Sequence, residues 1–172
     1  VRDLVTHRVG VARYDNVWIA APFDRDEILH RARYLPTVAG FRDHYGYNNI
    51  MYIAAGELVG AVAGTSWDDF VETRIFEPLG MERTTSRDDV VDRSGNVSGS
   101  HTEVDGEVRN VPRRDYDNIG GAGAIFSSAR EMARWMRLHL GSGVFEGERL
   151  LSEESMRELH QPQTVIPGDT VS

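Results

Sequence analysis

YGYNNIMYIAAGELVGAVAG, residues 45–64, passes from a polar, aromatic turn straight into an apolar, helix-forming run. Ile50, Ile53, Ala54, Leu58 and Val62 recur at three- and four-residue steps, which predicts a helix with these side chains inward. Gly64 supplies its stop. A phenol (Tyr47) and a side-chain amide (Asn49) thus stand two residues apart where a buried helix emerges. A proton carrier and a hydrogen-bonding fork would share one rigid support. The plainer alternative is that Asn48 or Asn49 caps the helix and Tyr47 packs beside it.

Composition limits what this stretch serves. At 172 residues the chain is one domain, or a large piece of one, with enough length to bury a core. Its 40% hydrophobic and 27% charged content is that of a globular protein, and no apolar run is long enough to span a bilayer. A formal charge of −8 argues against nucleic acid or an anionic membrane as partner. There is no cysteine, which excludes disulfides, thiolate metal sites and a cysteine nucleophile. Every residue of the Lys+Arg total is arginine, so no Schiff base or serine–lysine dyad comes from these residues. VRDLVTHR, at residues 1–8, already reads as helix interior, and the chain is expected to be part of a longer domain.

Working outward from the central helix, residues 1–8 predict a short helix with Leu4 and Val5 inward, ended by Gly10. Asp24 with Glu27 predicts a capped helix to about Arg33. Ser66 with Asp69 repeats that pattern before Trp67, Phe70, Val71, Ile75 and Phe76, and Ser128 with Glu131 repeats it before Met132, Trp135, Met136 and Leu138. Ser152, followed by two glutamates, opens a last helix to about His160, with a loop or a new element after Gln161. Residues 84–125 lack a helical period, and within them residues 97–112 predict a hairpin turning at Asp105-Gly106. Gly120–Gly123 predicts close backbone approach or positive φ. The whole reads as α+β with helices dominant.

Other chemistries find little support. The six histidines form no H-E-x-x-H or H-x-H pair, and no metal or cofactor is expected. Ser100, His101 and Asp105 straddle the predicted hairpin turn without a G-x-S-x-G elbow. The paired acids Asp68-Asp69, Asp88-Asp89 and Glu153-Glu154 read as helix-start or loop charges. His7 and Arg8 read as cations complementing a helix end.

Residues 47–84, YNNIMYIAAGELVGAVAGTSWDDFVETRIFEPLGMERT, resemble the Y-x-N region of the serine β-lactamase-related family. That family includes class C β-lactamases, D-alanyl-D-alanine carboxypeptidases and their esterase relatives. VRDLVTHRVGV, residues 1–11, is similar to its LLTHRSGL block, with Val9 where serine is common. GGAGAIFSSAREMARWMRLHL, residues 120–140, is similar to its AGGLxSTAxDMARW block. The resemblance implies a serine hydrolase that passes through an acyl-enzyme, with a lactam, peptide or ester as substrate. It implies Tyr47 as general acid/base and Asn49 as the group orienting the substrate amide. It further implies that residues 1–172 form one partial domain, the helical region of a β-lactamase/transpeptidase-like fold without most of the flanking antiparallel sheet. The nucleophile's S-x-x-K and the K-T-G-like strand are absent from these residues. Apolar faces at Ile50–Val62 and Met132–Leu138 would then be left uncovered, which predicts self-association or pairing with the rest of the domain. The competing reading is a non-catalytic binding or assembly module of the same fold.

Overall fold

The computed structural model describes residues 1–166. The reading of a loop or new element after Gln161 extends into residues 167–172, which lie outside the described residues. In chain order the elements are α1 (Arg2–Val5), α2 (Arg25–Ala32), α3 (Asn49–Ala63), α4 (Trp67–Val71, continued by a wider π turn Glu72–Phe76), α5 (Asp88–Arg93), β1 (Ser100–Val104), β2 (Glu107–Val111), α6 (Ala129–Leu140), β3 (Val144–Phe145), β4 (Glu148–Arg149) and α7 (Glu153–His160). Short 3-10 turns occupy Asp15–Val17 and Asp117–Ala122. β1 pairs with β2 and β3 with β4, each pair antiparallel. The protein is therefore α+β and helix-dominated.

The caps formed as the sequence predicts. Asn48 Oδ1 accepts the Met51 amide at 3.2 Å, and Asp24, Ser66, Ser128 and Ser152 accept the amides of Glu27, Asp69, Glu131 and Ser155. The reciprocal half of the capping box is diverted. Glu27 pairs with Arg31, Asp69 with Arg87, and Glu131 accepts from the Arg83 amide and the Thr84 hydroxyl. For Glu27 and Asp69 an ionised partner outcompetes one backbone N–H, and Glu131 instead binds two donors distant in sequence.

The inward face of α3 differs from expectation. Ile50, Ile53, Gly56 and Gly60 are buried, whereas Leu58 is 38% and Val62 81% exposed. The reason is steric. A Cβ on Gly121 would lie 2.8 Å from the Tyr52 carbonyl, and one on Gly60 would lie 2.8 Å from the Thr65 carbonyl. Glycines on both sides let two backbones close on α3 and rotate its buried stripe away from Leu58 and Val62. The expectation of close approach at Gly120–Gly123 is met, with Gly120 at φ 29°.

Two apolar clusters result. Trp18, Ile28, Ile50, Ile53 and Ile119 surround the start of α3. Trp67, Val71, Phe76, Leu79, Met81, Leu138 and Phe145 join α4 to α6 and the β3–β4 hairpin. The predicted uncovered faces are thus only partly bare: Ile50, Ile53 and Leu138 are buried, while Val62, Met136 and Leu140 remain exposed.

Two local expectations fail, and one hairpin was not anticipated. α1 stops at Val5 and buries none of its residues, because His7 at φ 57° turns the chain early. α5 and the second 3-10 turn fall inside 84–125, where no helix was expected. α5 has no side-chain cap, and it is tied from outside by the Tyr116 amide donating to Asp88 Oδ2. The β3–β4 hairpin follows Gly143 and turns at Glu146 and Gly147, both at positive φ. By contrast the β1–β2 hairpin turns at Asp105 (φ 53°) and Gly106 (φ 81°) as its dipeptide dictates.

Candidate active site

Tyr47 and Asn49 are brought together. The Tyr47 hydroxyl donates to Asn49 Oδ1 at 2.9 Å, just where α3 begins. Asn48 between them is fully buried and caps the helix, so Asn49 is free for other bonds. Asn49 Nδ2 donates to Asp15 Oδ1 at 3.2 Å, and the Trp18 indole donates to the same oxygen at 3.1 Å. The Arg13 guanidinium pairs with Asp15 Oδ2 and lies 5.2 Å from the centre of the Tyr47 ring. Asp15 and Asn49 line an open pocket of about 1080 Å³, together with Arg13, Trp18, Phe23 and Tyr116.

Sequence reasoning missed Arg13 and Asp15. They sit in an irregular segment whose only local signal is the short turn Asp15–Val17, and their partner lies 34 residues away. It also misassigned His7. His7 is 8% exposed, and its Nδ1 accepts the Asn48 amide at 3.1 Å. Its ring packs against Tyr45, Tyr47 and Tyr52. A nitrogen that accepts an N–H is unprotonated, so the fold holds a neutral imidazole with its proton on Nε2.

Burial pushes the His7 imidazole below its ordinary 6.5. As pH falls through 6.5 the unfolded chain takes up this proton while the folded one does not. Stability therefore declines as pH drops below 6.5 and levels once the folded imidazole itself protonates. Thermal melts between neutral pH and pH 5 are expected to show this decline in the parent and a smaller one in His7→Asn, the remainder coming from His139, whose imidazole is also pushed below 6.5 by burial. An equal decline in both would remove His7 from that account.

Beneath the pocket, Arg25 and Asp68 form a bidentate pair at 2.6 and 3.1 Å. Arg25 Nε also donates to the Asp117 carbonyl at 2.6 Å, and Ser86 donates to Asp68 at 2.7 Å. Burial opposes both charges, but these bonds outweigh it: Asp68 is held below the usual carboxylate range and Arg25 above its own. Asp68 is thus a buried partner, not the solvated helix-start charge the sequence suggested.

The carboxylates of Asp88, Asp115 and Asp117 also gather within 4.8 Å of one another. Each already accepts within the protein: Asp88 from Arg113 and the Tyr116 amide, Asp117 from the Asp88 amide, Asp115 from the Asp117 amide. They tie the 113–117 loop to α5. Burial, and then the charge of Asp115, raises the Asp117 carboxyl above its ordinary range. Ser100 and His101 are neighbours on one exposed strand, where successive side chains face opposite ways, and Asp105 sits at its turn. No triad is assembled there.

A family model described as Beta-lactamase matches residues 1–172. The chain belongs to the beta-lactamase family. Among relatives of this beta-lactamase-family chain, Unguisins hydrolase ungD of Aspergillus violaceofuscus is 33% identical over 79% of the chain and 26% of the relative. Penicillin-binding protein 4 of Amycolatopsis lactamdurans is 30% identical over 67% of the chain and 31% of the relative. The fold is that of the octameric penicillin-binding protein homologue from Pyrococcus abyssi, with a TM-score of 0.84 and 23% identity over 98% of this chain and 40% of that one. The chain therefore spans about a quarter to a third of these curated relatives.

Proposed function

We propose that this chain contributes Tyr47 and Asn49 to the active site of a serine hydrolase acting on a lactam, peptide or ester. The observation that carries the reading is the Tyr47–Asn49 bond at the start of α3, with Asn49 lining a pocket large enough for such a substrate, in a member of this family. The nucleophile is a serine outside residues 1–172, since these contain no lysine for an S-x-x-K pair. That serine attacks the carbonyl carbon to give a tetrahedral intermediate. The serine proton passes to the neutral S-x-x-K lysine, Tyr47 delivers its phenolic hydrogen to the leaving group as the intermediate collapses to the acyl-enzyme, and the lysine then returns a proton to the phenol. Water then attacks the ester and regenerates the serine. Asn49 donates to the substrate carbonyl and fixes its orientation.

The test is intact-mass spectrometry after exposure to a penicillin and to a fluorophosphonate. Residues 1–172 alone are expected to gain no adduct, whereas a longer protein that includes S-x-x-K gains one equivalent. A stoichiometric adduct on a serine of this chain would overturn the assignment. The alternative, a non-catalytic binding or assembly module, predicts that no length of the protein is labelled.

The same reading places this chain in contact with other protein surface. Val62 on α3 and Met136 and Leu140 on α6 are exposed large apolar side chains on packed helices. The octameric state of the Pyrococcus homologue is a precedent for assembly in the fold. Light scattering of residues 1–172 is expected to give a mass above the monomer's 19.3 kDa. A clean monomer that binds no hydrophobic dye would contradict this. Among the described residues no single helix is long and apolar enough to cross a membrane.

A further inference from the structure

Asp15 lies on the first residue of a 3-10 turn, immediately after Tyr14, which adopts a left-handed φ of 44°. A tyrosine held in that region stores backbone strain, and such strain collects where a side chain must be aimed. Here it aims a carboxylate at the amide of Asn49. We propose that Asp15 is a positioning residue that locks the orientation of the Asn49 amide and, through it, the direction of the Tyr47 proton. This rests on the roles just proposed for Tyr47 and Asn49.

A carboxylate only accepts, and an indole or guanidinium only donates. Asp15 Oδ1 takes the Trp18 and Asn49 N–H groups, and Oδ2 takes Arg13. With its oxygens engaged in this way and its side chain only 16% exposed, Asp15 is poorly placed to hold a cationic substrate group. Its bonds are instead directional. The two ends of the Asn49 amide have nearly the same shape, so sterics alone would allow either orientation. Flipping it would set Oδ1 against the Asp15 oxygens and Nδ2 against the Tyr47 hydroxyl. Charge forbids the first, so Oδ1 faces Tyr47.

Two consequences follow for chemistry. The phenol keeps its hydrogen on the Asn49 bond and presents its lone pairs elsewhere. The second Nδ2 hydrogen is left for a substrate carbonyl. In the flipped state Nδ2 would instead donate to the Tyr47 oxygen and favour phenolate. Asp15 therefore sets which way the Tyr47 hydrogen points.

The test reads Tyr47 itself. In the 172-residue chain labelled with ¹³C on the tyrosine rings, the Tyr47 signal is assigned with Tyr47→Phe and followed at alkaline pH. Asp15→Asn is expected to raise the phenolate-to-phenol ratio of Tyr47 by roughly three- to ten-fold, the equivalent of one reversed hydrogen bond. Removing a negative charge acts through space as well, so the cycle is closed with Asn49→Ala. In that background Asp15→Asn is expected to change the ratio by less than about two-fold, because the intermediary is gone. An unchanged ratio in Asp15→Asn, or the same rise with and without Asn49, overturns the proposal.

A second measurement needs no variant to fold. In the parent, the two Nδ2 protons of Asn49 are expected to exchange with solvent at clearly different rates, the one bonded to Asp15 being slower. Equal rates overturn the lock. Neither readout depends on turnover, so their failure would leave the acyl-enzyme reading standing. Acylation that survives Tyr47→Phe would sink that reading while leaving the coupling among Asp15, Asn49 and Tyr47 intact.

Discussion

Tyr47→Phe, placed in a longer protein that carries the S-x-x-K segment, is expected to slow acylation by about 10²- to 10⁴-fold, the range for a lost general acid/base. The substitution removes one oxygen and leaves the ring. The His7 packing at 4.6 Å and the Arg13 contact at 5.2 Å both engage the ring, so the fold is expected to survive. Stopped-flow acylation with a chromogenic lactam or ester checks the rate, and thermal melts check the fold. Substrate affinity should change far less than rate, because a proton carrier acts in the transition state. A loss of less than about ten-fold would mean that another group carries the proton. Asn49→Ala should behave differently, weakening affinity together with rate, since it acts on orientation.

Asp68→Ala is expected to be the most damaging single change to stability. It leaves the Arg25 guanidinium, 16% exposed, without its bidentate carboxylate and with Glu57 at 3.5 Å as the remaining ion partner. Breaking one side of a buried pair costs about 3–5 kcal/mol, against a total of about 5–15 kcal/mol for a folded domain. Urea unfolding is expected to show a midpoint shifted to much lower denaturant, or no cooperative transition. Removing both charges, as Arg25→Met with Asp68→Leu, should cost less than Asp68→Ala alone. A double variant as unstable as the single one would show that the packing, not the unpaired charge, decides. The same pair makes the fold acid-sensitive. With Asp68 held below its ordinary 3.8, its contribution is present above that pH and is lost as pH falls through the lower folded value. This window lies below that of His7, so the two are separable. Asp117, raised by burial, contributes with the opposite sign.

The elements that were legible in advance share one property: their cause is local. Asn48, Asp24, Ser66, Ser128 and Ser152 start helices through a bond to an amide three residues on. Asp105-Gly106 turns a hairpin through its own φ values. The Tyr47–Asn49 pair is likewise local, because residues two apart across a helix start meet without help from the rest of the chain.

What was not legible depends on partners far away in sequence. α5 has no cap of its own and is held through Asp88 by Arg113 and Tyr116. Asp68 looks like any first-turn acid until Arg25, 43 residues earlier, is placed against it. The α3 stripe turned away from Leu58 and Val62 because glycines admitted backbone where side chains were expected.

By itself, then, the amino-acid sequence determined where the five side-chain-capped helices begin, where the β1–β2 hairpin turns, that these residues supply no lysine, and that Tyr47 and Asn49 stand together at the start of α3. Only the tertiary structure decided which face of α3 is buried, that His7 is a neutral acceptor beneath Tyr47, and that Asp15 holds Asn49. The physical reason is range. Backbone amides and φ preferences act within a few residues, whereas burial, ion pairing and amide orientation require groups that only the folded chain brings together.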